Sequence, residues 1–106
     1  MEKIEAFVRR LVDEYAPEKV ILFGSYADGS ATDNSDVDLL VVMPHTGPPA
    51  RKSAEVRSRL RPGFALDLIV RSSEQLAERI AMSDYFLLDI VEKGDVLYES
   101  ARAGVD

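Results

Sequence analysis

The chain has 106 residues, 46% of them hydrophobic and 30% charged, which suffices for one modest domain and excludes two. Thirteen Lys and Arg against nineteen Asp and Glu give a net charge of −6 and argue against a general nucleic-acid binder, because neutralising phosphates needs a cationic surplus. With no cysteine there is no disulfide framework or thiolate metal site, and no apolar run approaches the length of a membrane span.

Ile4, Phe7, Val8, Leu11, Val12 and Tyr15 recur at helical spacing, which predicts an amphipathic helix over residues 2–15, ended by Pro17. This charged start is unlike a signal peptide, so the expected location is the cytoplasm. Lys19 to Phe23 is a short run of strand formers stopping at Gly24-Ser25, as a buried strand does on entering a turn. Residues 28–35, rich in Asp, Gly, Ser, Thr and Asn, predict a loop. A second strand over Val37 to Met43 ends at Pro44, and the segment from His45 to Pro49 predicts a surface loop with His45 exposed to solvent.

Residues 50–61 predict a helix with Val56 and Leu60 turned inward. Arg51, Lys52, Arg57, Arg59 and Arg61 against Glu55 alone make this segment locally basic, and it reads as a solvated face. After Pro62-Gly63 comes a strand from Phe64 to Val70, then Ser72 and Gln75 spaced as a capping box that opens a helix of about ten residues. Tyr85 to Glu92 is a further helix stopped by Gly94, and Asp95 to Glu99 a last edge strand. Tyr26, Tyr85 and Phe86 read as packing or partner-facing residues. The expected architecture is α+β, an α/β sandwich with one mixed β-sheet and helices packed on it, formed by residues 1–100 and followed by a frayed tail at 101–106.

The chemistry concentrates in one constellation. Asp36 and Asp38 flank Val37, so on an extended chain both carboxylates project from one face, at the entrance of the apolar run from Leu39 to Val42. Asp67 interrupts the apolar run from Phe64 to Val70, where a lone carboxylate would need a partner. If the two strands are neighbours, Asp67 joins Asp36 and Asp38 as a set of hard oxygen ligands suited to magnesium. Gly24 lets backbone N–H groups approach an anion, Ser25 adds a hydroxyl donor, and phosphate is the natural anion.

Gly24-Ser25, ten intervening residues, Asp36-Val37-Asp38 and a later strand carboxylate together resemble the minimal nucleotidyltransferase family of the DNA polymerase beta superfamily. The stretch from Leu22 to Val42 carries the specific part of that resemblance. What it implies is a palm-like sheet on which Asp36, Asp38 and Asp67 are catalytic and bind one or two Mg2+ ions, Gly24 and Ser25 bind the nucleotide, and Asp67 accepts a proton. The implied reaction moves AMP from ATP onto a hydroxyl. Stand-alone members of this size resemble the antitoxin half of a two-protein module, and the implied acceptor is a tyrosine of a HEPN-domain ribonuclease toxin.

Family members often carry a basic residue where this chain has Asp28, and an acid there repels a triphosphate unless a cation of the basic segment pairs with it. Two other readings therefore stand beside the first: an antitoxin that neutralises its toxin by binding alone, and a nucleotide-binding subunit of an aminoglycoside-type nucleotidyltransferase. Neither direct nucleic-acid contact nor a membrane is expected, and both homo- and hetero-oligomers are open.

Overall fold

The computed structural model describes residues 2–101, so the tail expected at 101–106 lies, from residue 102 on, outside the described residues. Helix α1 (Glu2–Tyr15) buries Ile4, Phe7, Val8 and Leu11 in one stripe, then ends at Ala16 and the buried Pro17. Strand β1 (Lys19–Phe23) leads through the single turn α2 (Ser25–Asp28) and the loop to β2 (Val37–Val42). Helix α3 (Pro49–Leu60) begins with proline in its first turn and buries Val56 and Leu60. Strand β3 (Leu66–Arg71), helices α4 (Ser73–Ala81) and α5 (Tyr85–Lys93), and strand β4 (Asp95–Glu99) complete the chain.

The sheet has the order β3-β2-β1-β4, antiparallel except for the parallel pair β2 and β3. The central strands alternate between two cores. Val20, Leu22, Val37, Leu39, Val41, Leu68 and Val70 face α1 and α3, whereas Ile21, Leu40 and Val42 face Leu87 and Ile90 of α5. Both faces of the sheet are covered, which explains why β2 reads as an unbroken apolar run after Asp38. The architecture is the expected α+β sandwich.

The expected third strand starts two residues late, at Leu66, because the turn at Gly63 (φ 75°) carries Phe64 out of the ladder and against Phe7, with ring centroids 5.9 Å apart. The capping box forms as expected: Ser72 Oγ accepts from Gln75 N at 3.1 Å, and Gln75 Oε1 accepts from Ser72 N at 3.0 Å. The same Gln75 corrects the reading of His45. That side chain is half-buried, with its Nε2 2.9 Å from Gln75 Oε1, because the loop after β2 folds over the start of α4. Within the basic segment Arg59 pairs with Glu14 of α1 at 2.7 Å and Lys52 with Glu55 at 3.1 Å. Among the described residues no helix is long and apolar enough to cross a membrane.

Candidate active site

Strand β1 ends at Phe23, and the chain leaves the sheet through Gly24, whose φ of 73° lies in the left-handed region that favours glycine. Space demands glycine as well. A Cβ at position 24 would overlap Oδ2 of Asp38 and lie 3.1 Å from its Cγ. The backbone of the turn therefore lies directly against the Asp38 carboxylate. Ala27 and Asp28 donate their N–H groups to Gly24 O at 3.0 and 3.1 Å, and Gly29 (φ 84°) closes the turn. The first N–H groups of such a turn, at Ser25 and Tyr26, are not consumed by the turn itself.

A second turn delivers the acids. Ser35 Oγ accepts from Thr32 N at 2.9 Å and Ser35 N donates to Thr32 O at 3.0 Å, as expected of a turn serine ahead of Asp36. The ladder starts one residue later, when Val37 N donates to Ala65 O at 2.9 Å. Within it Asp38 is the register partner of Phe23 on one side and of Asp67 on the other. Asp38 and Asp67 therefore sit side by side on one face of the sheet, the face that α5 covers further along.

Burial pushes the Asp38 carboxyl above its ordinary value; the Asp67 and Asp36 charges, and a hydrogen bond with Asp67 in the protonated form, push the same way. Asp67 is exposed. Asp36 acts on Asp38 through its charge but lies before the ladder and is exposed. Among the described residues no three Asp, Glu, His or Cys side chains are preassembled around a metal position. The expected triad is thus a pair with an outlying third charge. That arrangement fits magnesium, which takes one or two carboxylates and completes its shell with water and substrate phosphates instead of an all-protein cage.

The pair opens into a cleft of about 510 Å³ lined by Phe23, Gly24, Asp28, Asp38 and Asp67 from the sheet side and by Phe86, Asp89 and Lys93 from α5. Its size suits a nucleotide-sized ligand. Asp28 does not pair with a cation of the basic segment, which lies on the other face of the sheet. Asp28 Oδ1 instead accepts from Ser30 N at 2.9 Å and from the Ser30 hydroxyl, and those bonds hold its pKa below the ordinary value.

Residues 1–96 match the family model described as nucleotidyltransferase domain. The chain belongs to this family. It is similar to a Methanocaldococcus jannaschii protein described as a candidate protein adenylyltransferase, with 35% identity over 97 residues that cover 90% of this chain and 94% of that protein. Two solved structures share its fold at 22% identity, each matching over 92% of this chain: a candidate nucleotidyltransferase from Sulfolobus solfataricus (TM-score 0.65, 78% of that chain) and a toxin-antitoxin structure with AMP-PNP (TM-score 0.58, 75% of that chain).

Membership makes the chain an enzyme of the nucleotidyltransferase kind. Sequence reasoning about this nucleotidyltransferase did not find Phe86, Asp89 and Lys93 as residues of the cleft. The i,i+4 spacing of Asp89 and Lys93 and the glycine after them were visible, but no local signal says which part of the sheet a helix end will meet. Phe86, read as packing or partner-facing, packs edge-to-face on Phe23 with centroids 5.8 Å apart and stays 57% exposed, so it also forms a wall of the cleft.

Proposed function

We propose that this nucleotidyltransferase moves AMP from ATP onto a hydroxyl of a partner protein, a tyrosine of a HEPN-type toxin, and so acts as an antitoxin. The single observation that carries the reading is the carboxylate pair of Asp38 and Asp67 beside the Gly24 turn. The similarity to a candidate protein adenylyltransferase supports a protein acceptor, and the fold shared with a toxin-antitoxin structure containing AMP-PNP supports an adenine nucleotide and a toxin partner.

In this reading Asp36, Asp38 and Asp67 would be the residues that hold Mg2+. When bound, the ion would neutralise charge on the triphosphate and make pyrophosphate a better leaving group. Gly24 lets the backbone approach the phosphates, and Ser25 donates its hydroxyl and N–H to them. Asp67, the more exposed of the pair, lines the cleft and would take up the proton of an acceptor hydroxyl at a carboxylate oxygen. Asp38, held between Gly24 and Asp67, orients these groups.

The test mixes the protein with Mg2+, ATP labelled at the α-phosphate and the product of the neighbouring gene. The partner should become labelled, and Asp36→Asn combined with Asp38→Asn should abolish labelling while circular dichroism stays native. Labelling that survives the double substitution removes the enzymatic reading. Asp28, an ionised acid at the mouth of the cleft, favours a second reading in which the chain silences its toxin by binding alone. Toxin neutralisation by the double variant equal to that of the native protein selects it.

A further inference from the structure

A triphosphate entering the cleft meets four carboxylates, those of Asp28, Asp38, Asp67 and Asp89. Lys93 is the one cation among the residues that line it. The basic helix α3 offers no help, because Val56 and Leu60 anchor it in the core on the opposite face of the sheet. The loop beside Gly24 offers none either, since Asp28 stands there and is bonded to Ser30. Charge balance on a bound polyphosphate therefore falls to Lys93 and to whatever cations accompany the nucleotide.

The fold places Lys93 there by a specific device. A Cβ on Gly94 would overlap the Ile21 side chain and lie 2.6 Å from Ile90 O and 3.1 Å from Leu22 O. Glycine alone lets the end of α5 rest on the backbone of β1, next to Phe23 and the Gly24 turn. Lys93 Nζ is 3.0 Å from Asp89 Oδ1 one helical turn back, and the two side chains are 77% and 61% exposed. Such an exposed i,i+4 pair is weak and readily exchanged. A polyphosphate carries more charge than one carboxylate and presents several acceptor oxygens to the same ammonium group.

We propose that Lys93 is the cation that grips the triphosphate, leaving Asp89 for phosphate oxygens when nucleotide enters, and that it makes the cleft prefer a nucleoside triphosphate to a monophosphate. The proposal deepens the reading of the cleft as a nucleotide site and rests on it.

Calorimetric titration of the whole protein with Mg2+ and AMP-PNP, and separately with AMP, tests it. Lys93→Ala should weaken AMP-PNP binding by about tenfold, as expected for loss of a charge-assisted contact. AMP should be affected far less, and Lys93→Arg should restore most of the loss. Asp89→Asn, which removes both the competitor for Lys93 and one facing acid, should tighten AMP-PNP binding. Because Lys93 is exposed at a helix end, its substitution is expected to leave the circular dichroism spectrum and melting temperature near native. An unchanged affinity for AMP-PNP in Lys93→Ala, or an equal loss for AMP, overturns the proposal. If that affinity persists in Lys93→Ala but is lost in Asp38→Asn, Lys93 alone is removed and the cleft remains a nucleotide site; a native protein that takes up no nucleotide removes both.

Discussion

Asp38 of β2 and Asp67 of β3 are register partners on neighbouring parallel strands, with their carboxylates on the same face. Parallel pairing leaves two like charges side by side with no cation among the described residues acting on Asp38, and burial adds to the cost there. The site is under electrostatic tension, and stability measurements report on it directly.

Without divalent metal, Asp38→Asn is expected to stabilise the fold, by on the order of 1 kcal/mol, or about 4 to 8 °C in melting temperature for a domain of this size. Millimolar Mg2+ or Mn2+ should raise the melting temperature of the native protein and leave that of Asp38→Asn combined with Asp67→Asn unmoved. Thermal melts in chelator and in added metal check both; a metal-induced rise that survives in the double variant would place the ion elsewhere.

The pH dependence has a definite sign. Asp38 titrates above its ordinary 3.8 in the folded chain, chiefly through burial and then through Asp67 and Asp36, so the folded state keeps this proton to higher pH than the unfolded chain does. Its contribution to stability is greatest below 3.8 and declines as pH rises through the folded value. The stabilisation gained by Asp38→Asn in chelator should therefore be small near pH 3 and grow toward neutrality. Melts of both proteins across this range test the sign, and a difference that shrinks with rising pH contradicts it.

Gly24 and Gly29 bound the same short turn, both with positive φ, but only Gly24 faces a close neighbour. Gly29→Ala should carry only the backbone strain, about 1 kcal/mol. Gly24→Ala adds the overlap with Asp38 and should cost roughly 2 to 4 kcal/mol in denaturant titrations, together with loss of nucleotide binding. Equal costs at the two positions would deny the close approach of the turn to Asp38.

Ser72 caps α4 just after the end of β3 away from Asp67, and its hydroxyl accepts from the N–H of Gln75. Ser72→Ala should lower stability by about 1 kcal/mol in urea titrations. Transfer activity should stay at its native level, since Ser72 does not line the cleft.

Local rules account for most of what could be read in advance. The spacing of Ile4, Phe7, Val8 and Leu11 writes helix α1 into the chain, Ser72 and Gln75 mark the start of α4, and Gly94 marks the end of α5. The motif from Gly24 to Asp38 was legible as a candidate site because its parts lie within fifteen residues of one another and are joined by two tight turns. Phe64 defeated the boundary of β3, because a long-range aromatic contact with Phe7 outweighs the strand preference of a single residue. His45 was misplaced for the same kind of reason: its partner Gln75 lies thirty residues away.

The amino-acid order alone thus determined the elements, the chemistry of the acids and the glycine that lets backbone approach them. The tertiary structure decided which of those acids meet, setting Asp38 against Asp67 through the ladder while leaving Asp36 outside it, and it brought Phe86, Asp89 and Lys93 of α5 over the cleft. The physical reason is reach. Helix periodicity, caps and turns act over a few neighbouring residues, whereas strand register and the resting place of a helix end are set by burial of apolar faces drawn from the whole chain.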